Sequence, residues 1–495
     1  MYKKTITARW LFLFFIKASF WEELMKNLLD KTFGITESGS TIKTEIIAGL
    51  TTFFAMCYIV LVNPTQIAGD GNPQIWNSVF VGGIIAAVIG TLLMAFLARL
   101  PFAQAAGMGL NSFFFVCFVL TAMTAGEDPV EGYQAGLVII FVSGIIFMLL
   151  SATGLRHKIA TALPECLKKA IPAGIGLFIA LLGLKSAGII VADRYTLVSL
   201  ADLTQWSIAA PALAAFLGII LIAVLSKFNV KGSIILGILG TTLFYYLFTW
   251  SAPAWDPTPI GETFRDFGEI GITAVFQGES WVNAFSAEYI GGVFSAILLI
   301  ITFCLVDMFD TVGTLYGAAA EANMMDENGN PIRMEKAMLC DSIATLTGAV
   351  LGTSTITTFV ESSAGVAAGG RTGLTSLVTA MCFAVCLFLS PVANIIPSVA
   401  TAPALVFVGV LMLKNFSKVD MNDMRSAVPA FLTLVMMPLT YSIANGIGIG
   451  AISYVLISLF TGKYSKNDII ITVIAALFAV RFALVFTGTY PVYAF

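Results

Sequence analysis

The chain has 495 residues, of which 58% are hydrophobic and only 11% are charged, and its formal net charge is -3. This composition excludes an ordinary soluble domain, and recurrent apolar runs of about 20 residues predict many helices that cross a lipid bilayer. The ~10-residue alternating segments of a membrane barrel are absent, and no basic patch with interleaved aromatic residues indicates a nucleic-acid partner.

Residues 1–44 form a basic lead-in around the short apolar stretch "WLFLFFI". The stretch is short for a signal peptide, and no clear small-x-small cleavage site follows it. We therefore expect either a segment that lies at the membrane surface or a functional chain that begins near Met25.

Fourteen apolar segments follow as candidate membrane spans. In chain order they are 45–62, 76–98, 101–120, 134–152, 169–187, 207–226, 231–250, 288–318, 337–352, 354–370, 372–396, 402–414, 427–444 and 445–461. A further apolar segment, 468–488, contains Arg481, and the sequence leaves its depth in the membrane open.

The charges of the loops test this count, because an error of one span would invert every later loop. With the N-terminus in the cytoplasm, the cytoplasmic connections contain fifteen Lys and Arg residues and the outer connections contain three. This positive-inside bias persists along the whole chain. The prediction is a multi-pass protein of the cell (inner or plasma) membrane with a cytoplasmic N-terminus.

The outer connection 251–287 is acidic, rich in Pro, Trp and Gly, and separates seven spans from seven. The stretch that begins at Pro211 weakly resembles the stretch that begins at Pro429. Because seven is odd, duplicated halves would have opposite orientations in the membrane, which predicts a 7+7 inverted repeat. Such repeats are typical of secondary transporters, whose sites lie near the bilayer midplane where interrupted helices meet.

Two segments look interrupted, the third and the tenth. The third, "PFAQAAGMGLNSFFFVCFVL", begins with a stretch rich in Gly and Ala, and the tenth, "TSTITTFVESSAGVAAGGRTG", passes from β-branched residues into Gly and Ala. Under an inverted repeat these two segments are counterparts. Their exposed backbone would supply N–H donors, and the N-termini of their half-helices would add positive dipole ends.

Acidic residues are scarce away from the span ends, and each needs a role because a charge at the bilayer centre costs at least about 2.5 kcal/mol. Asp307 and Asp310 lie three residues apart in the eighth span, which puts them on one face of a helix. In one interpretation this face lines a polar site, where one carboxylate binds a ligand donor and the other takes up a proton. In the alternative the pair is an interhelical polar clasp without a ligand.

Three further polar residues of the spans each allow two interpretations. Glu361, at the break of the tenth segment, is a site residue or a helix cap. Asn111, in the third segment, is a site residue or an interhelical hydrogen-bond partner. Asp341 lies near the cytoplasmic end of the ninth span, where we favour an ordinary carboxylate at a helix N-terminus.

Enzyme motifs give no strong competing function. Residues 365–372, "GVAAGGRT", resemble a phosphate-binding loop, but Arg371 replaces the Lys and no soluble α/β domain surrounds it. An intramembrane aspartyl protease also needs paired buried acids, yet its Tyr-Asp and Gly-x-Gly-Asp pattern is absent. No catalytic residue, metal site or cofactor is therefore predicted.

Four stretches carry a resemblance to a known family, namely "AAGMGLNSFF", "VDMFDTVGTL", "GTSTITTFVESSAGVAAGGRTGLT" and "MPLTYSIANGIGIGAISYV". Over residues 25–461 the chain resembles the AzgA-type purine permeases, a branch of the nucleobase-cation symporters related to the xanthine and uracil permeases. The resemblance implies a UraA-like all-α fold of fourteen segments, with short strands in the broken third and tenth segments. It also implies a core domain (45–152 and 288–396) and a gate domain (169–250 and 402–461).

The resemblance further implies import of adenine, guanine or hypoxanthine with protons as the coupling ion, by movement of the core against the gate. Carried over by motif, Asp307 and Glu361 would hydrogen-bond the base and Asp310 would couple the proton. Asn111 and Gly109 would line the site from the third segment. A homodimer is the assembly that the family favours.

An anion carrier of the same fold is the runner-up, although three acids in the site would repel an anionic substrate. Phe113, Phe114 and Phe359 are candidates for stacking on a purine, and the sequence does not choose among them.

Overall fold

The computed structural model describes residues 26–69, 71–152, 164–193, 196–251, 260–321, 324–326, 331–393, 395–465 and 468–486. Most of the basic lead-in, residues 1–25, lies outside the described residues.

The described chain is mostly α-helical. Its α-helices are α1 (26–33), α2 (Ile42–Met56), α3 (Ile59–Ala68), α4 (Pro73–Leu93), α5 (Met108–Phe114), α6 (Thr121–Ala125), α7 (Pro129–Ala152), α8 (Glu165–Ser186), α9 (Trp206–Lys227), α10 (Ser233–Thr249), α11 (Ile260–Asp266), α12 (Gly278–Asn283), α13 (Ala287–Ile290), α14 (Val293–Glu321), α15 (Met334–Val350), α16 (Ser362–Ala367), α17 (Gly373–Cys386), α18 (Ser390–Ala393), α19 (Ser398–Leu413), α20 (Met424–Leu439), α21 (Ile443–Phe460) and α22 (Ile469–Phe486).

Shorter elements complete the backbone of the described residues. The strands are β1 (Gln104–Ala106), β2 (Ile190–Asp193), β3 (Leu197–Leu200) and β4 (Ile356–Thr358). π-Helical turns cover Met94–Ala98, Phe115–Leu120 and Phe267–Gly271, and 3-10 turns cover Ala274–Phe276, Leu387–Leu389 and Lys414–Lys418.

Nine helical runs in the described part of the chain are long and apolar enough to cross a membrane. They are Ile42–Ala68, Pro73–Ala98, Met108–Ala125, Pro129–Ala152, Glu165–Ser186, Trp206–Lys227, Val293–Val312, Ser398–Lys418 and Ile443–Phe460. Four further apolar helices are shorter and lie at the predicted seventh, eleventh and thirteenth spans and at segment 468–488. The all-α membrane fold is thus confirmed, while the count of fourteen spans stays a prediction.

The packing of the helices follows the order that an inverted repeat predicts. α8 and α19, which are counterparts under the predicted repeat, pack against each other. α8 also packs on α20 and α21 of the second half, whereas α19 packs on α9 and α10 of the first half. Each half therefore contributes one helix to the helix group of the other half.

A second group of helices surrounds β1 and β4. Here α2 packs against α17 and α14 packs against α7, so the first and eighth spans also lie on elements of the opposite half. The two groups contain the helices of the predicted gate and core ranges. A division into two moving domains stays a prediction.

The second and ninth spans approach each other almost backbone to backbone, at Gly82 of α4. A Cβ atom at Gly82 would lie 1.8 Å from the carbonyl oxygen of Leu351, just after α15. Close approach through small residues is a common way to pack helices in a membrane, because lipid tails are as apolar as side chains and dispersion contacts must supply the attraction.

The described residues 260–287 of the predicted outer connection contain α11, α12 and two short turns. These elements pack against α4 and α7. Asp266 accepts a hydrogen bond of 2.8 Å from Asn77, and Glu131 accepts bonds from Asn283, at 3.3 Å, and from Tyr289. The described part of this connection therefore forms a cap on the strand-bearing group of helices, which we call the outer cap after the predicted outer connection.

The predicted segment 468–488 contains α22, which packs on α21. Near its start, Asp468 lies 3.2 Å from the guanidinium of Arg425. Farther along, Arg481 is buried and donates a hydrogen bond of 2.5 Å to the side chain of Asn445. A charged residue is thus tolerated in this apolar helix because it faces protein rather than lipid.

The close approach at Gly82 predicts that Gly82→Ala destabilises the purified protein. The added methyl group overpacks the contact and should lower the free energy of unfolding by about 1–3 kcal/mol or more. Gly261→Ala is the matched control, because a Cβ atom at this helical position meets nothing within 4 Å. It should leave stability unchanged or slightly raised, since Ala favours helix over Gly. Equal melting temperatures in detergent for the two variants would contradict this packing.

Candidate functional site

The two broken segments cross at the centre of their helix group and pair through short strands. β1 and β4 are antiparallel, with Gln104 opposite Thr358 and Ala106 opposite Ile356. Backbone bonds continue the pairing on both sides, from Gly107 to Thr355 and from Phe359 to Ala103, each at 3.0 Å. The strands lie in the third and tenth segments, where they are expected, and they satisfy backbone groups that helix breaks leave free inside a membrane.

Two buried carboxylates join α14 to α15 by a reciprocal pair of hydrogen bonds. Thr345 donates to Asp307 at 2.8 Å, and Thr311 donates to Asp341 at 2.6 Å. Asp307 and Thr311 are four residues apart, as are Asp341 and Thr345, so each helix presents one acid and one hydroxyl on the same face. We call these four residues the clasp; all four are buried.

The clasp also holds both strands. The Gln104 amide on β1 donates to Asp341 at 3.2 Å and to Thr358 of β4 at 3.4 Å. The hydroxyl of Thr345, while it donates to Asp307, accepts the backbone N–H of Ile356 at 3.2 Å. Four elements, namely α14, α15, β1 and β4, are therefore fixed relative to one another by one polar network.

Asp341 corrects the sequence-based interpretation. α15 begins at Met334, so Asp341 lies two turns inside the helix rather than at its N-terminus. It is fully buried and bonded to two other segments. The interpretation as a helix N-terminal carboxylate is wrong, because the helix starts earlier than the apolar run indicates.

A second polar group forms where the first, eighth and tenth spans meet. Glu361 accepts a hydrogen bond of 2.6 Å from the hydroxyl of Tyr58. Asp310 accepts a hydrogen bond from Thr357 of β4, and its charge interacts with that of Glu361. We call Tyr58, Asp310, Thr357 and Glu361 the Glu361 cluster; its two carboxylates are half-buried.

Asp307 and Asp310 lie on the same face of α14 but contact different elements. Asp307 is 1% exposed and turns toward α15, in agreement with the clasp interpretation, whereas Asp310 turns toward β4 and Glu361. Glu361 directly precedes α16, but its side chain makes no capping hydrogen bond. The alternative role of Glu361 as a helix cap is therefore not supported.

Asn111 lies in a buried network of side-chain amides. It donates to Asn63 of α3 at 2.9 Å and accepts a bond from Ser354, and it is 0% exposed. These contacts agree with the interhelical interpretation, and direct binding of a ligand by Asn111 stays a prediction. Gly109, two residues before Asn111, faces α8, since a Cβ atom there would lie 2.3 Å from Cγ2 of Ile175.

Sequence patterns did not point to the neutral residues of these networks, among them Tyr58, Gln104 and Thr345. Each is a neutral polar residue, for which burial in a span is far less costly than for an acid, so the sequence has no comparable signal. Among the aromatic candidates, Phe113 is fully buried against Phe303, with ring centroids 4.9 Å apart. Phe359 instead lies two residues from Glu361.

Comparisons with known proteins agree with this architecture. A family model described as "Permease family" matches residues 43–449. The guanine/hypoxanthine permease PbuO of Bacillus subtilis is 40% identical over 91% of this chain and 99% of its own. The adenine permease AdeP of Escherichia coli is 38% identical over 93% of this chain and 97% of its own.

Among solved structures, the transmembrane domain of the cyanobacterial bicarbonate transporter BicA aligns with a TM-score of 0.56. The alignment covers 81% of this chain and 97% of that domain at 15% sequence identity. At this identity the likeness shows the fold alone.

The clasp predicts that Thr345→Val, which removes one hydroxyl and keeps the side-chain shape, lowers the free energy of unfolding by about 1.5–3 kcal/mol, the range for a hydrogen bond to a charged group. Thr347→Val is the control on the same helix, because Thr347 bonds only a carbonyl of its own helix, that of Ala344. Unfolding in detergent measures both variants, and equal losses would contradict a special role for the clasp.

Proposed function

This chain belongs to the permease family, and from that membership and the geometry of the site we propose that it transports purine nucleobases (adenine, guanine or hypoxanthine) across the membrane. Two relatives that match over nearly their whole length are named for guanine and hypoxanthine and for adenine. The family consists of permeases rather than enzymes, which removes the intramembrane protease from consideration.

The Glu361 cluster is the observation that carries this proposal. A purine is flat and uncharged, and its edges present N–H donors and ring-nitrogen acceptors. Glu361 and Asp310 offer carboxylate acceptors at a half-buried position between three spans, where charge-assisted hydrogen bonds to N–H groups are strong. Such acceptors suit a neutral donor and disfavour an anion.

In the proposed mechanism Asp307 and Glu361 bind the base, and Asp310 takes up the coupled proton. Asn111 and Gly109 line the site from the third segment. Asp307 already accepts a bond from Thr345 and is almost fully buried, so its contact with the base requires that the surrounding helices open. The charges of Asp310 and Glu361 interact. Such a pair of acids is suited to take up and release a proton during this step.

Alternating access would come from movement of the strand-bearing core against the gate helices. The contact between Gly109 and α8 supports this division, because it lies where the third segment meets the gate. Another such contact joins Lys231 to Thr51 at 3.1 Å, between the start of α10 and α2. Both are small or polar contacts, which can be exchanged without exposing a large apolar surface.

We also propose that the protein lies in the cell membrane with its N-terminus in the cytoplasm, and that it forms a homodimer through the gate. The positive-inside charge bias supports the orientation. An anion carrier is the alternative that the fold alone allows, and the acids of the Glu361 cluster argue against it.

Radiolabelled uptake in a transport-deficient host tests the substrate class. We expect accumulation of adenine, guanine or hypoxanthine that a protonophore abolishes, because the concentrative step uses the proton gradient. Uptake of uracil or xanthine alone, or of sulfate or bicarbonate without purines, would contradict the proposal.

The assigned roles predict different defects for the three acids. Asp307→Ala and Glu361→Ala should abolish purine binding, because each removes a carboxylate acceptor. Asp310→Asn should keep binding to purified protein but lose accumulation above the external concentration, because the amide takes up no proton. Accumulation at the wild-type level by Asp310→Asn would remove the proton role of Asp310.

A further inference from the structure

Tyr58 lies at the break of the first span, between the end of α2 at Met56 and the start of α3 at Ile59. Its side chain is 0% exposed. The phenol hydroxyl donates to Oε1 of Glu361 at 2.6 Å, across 303 positions of the sequence. The first and tenth spans, which belong to opposite halves, are therefore joined at the residue proposed to bind the substrate.

The geometry of Glu361 gives this bond a specific consequence. Glu361 follows β4 and precedes the short helix α16, to which its side chain gives no capping bond. A Glu side chain has three rotatable bonds, and ordering it costs conformational entropy. The hydroxyl of Tyr58 fixes one carboxylate oxygen, so the other oxygen has a defined direction in which to accept a further donor.

The neighbouring charge makes such a restraint necessary. Asp310 interacts electrostatically with Glu361, and two carboxylates in a low-dielectric site repel each other. The hydrogen bond from Tyr58 offsets part of this repulsion and stabilises the carboxylate of Glu361 where it stands. A buried phenol in turn needs an acceptor, and a carboxylate makes a short charge-assisted bond with it.

We propose that Tyr58 is a positioning residue for substrate selection: it holds the carboxylate of Glu361 so that the second oxygen accepts an N–H of a purine ring. The inference rests on the proposed function, because it takes the purine as the ligand of Glu361. It assigns a role to a residue of the first span that has no charge and no recognisable motif.

Tyr58→Phe tests this role, because it removes one oxygen atom and keeps the ring in place. We expect the KM for purine uptake, and the Kd measured on purified protein, to rise about tenfold or more, as for loss of one charge-assisted hydrogen bond. The maximal rate and the melting temperature should change much less. An unchanged KM would overturn the inference.

Tyr133→Phe is the matched control. Tyr133 is also fully buried, and its hydroxyl donates to the carbonyl of Gly352 at 2.5 Å, away from Glu361. It should leave the KM for purines unchanged. If both variants raise KM equally, or if Tyr58→Phe alone fails to fold, Tyr58 has a structural role and the inference fails.

A double-mutant cycle with Glu361→Gln separates an action through Glu361 from a direct one. If Tyr58 acts through the carboxylate, Tyr58→Phe should weaken purine binding much less in the Glu361→Gln background than in the wild type. Full additivity would overturn the inference. Absence of any purine uptake by the wild type would instead refute the proposed function, so the two failures are distinguishable.

Discussion

The clasp between α14 and α15 is the interaction on which the rest of the site depends. A carboxylate within a membrane is costly unless donors surround it, and Asp307 and Asp341 each receive a hydroxyl from the opposite helix. Because the two bonds are reciprocal, they fix the relative height of the two helices as well as their contact face. Through Gln104 and Ile356 the same network holds both strands, and β4 in turn sets the position of Glu361.

The predicted inverted repeat accounts for the way this network forms. Each half contributes one broken segment, and β1 of the first half pairs with β4 of the second, so that the halves interlock. The exchange of α8 and α19 between the helix groups is a further result of this interlocking. Within it, glycines such as Gly82 allow helices to approach closely enough for short side chains like Thr to reach their partners. Apolar packing and polar bonding therefore depend on each other.

Much of this arrangement could be predicted from charge and pattern. The cost of burying an acid drew attention to Asp307, Asp310 and Glu361, and the Gly-rich breaks located the third and tenth segments. The hydrogen-bond partners of these acids could not be predicted in the same way. Tyr58 is 303 positions from Glu361 in the sequence, and a neutral hydroxyl in an apolar run gives no signal. The sequence wrongly indicates that Asp341 lies at a helix N-terminus. The first turns of α15 contain polar residues, so the apolar pattern begins later than the helix does. The sequence does not predict the outer cap, because its helices are too short to show a recognisable apolar periodicity.

Protection from alkylation tests most directly whether a purine binds at the Glu361 cluster. Val360 lies next to Glu361 and is 48% exposed, so a Val360→Cys variant in which the seven native cysteines are replaced offers one reactive thiol beside the site. Phe276→Cys, on the outer cap and 75% exposed, is the control. We predict that adenine, guanine or hypoxanthine slows maleimide labelling at position 360 and not at position 276. Unchanged labelling at position 360 under saturating purine, in protein that still transports, would contradict the account.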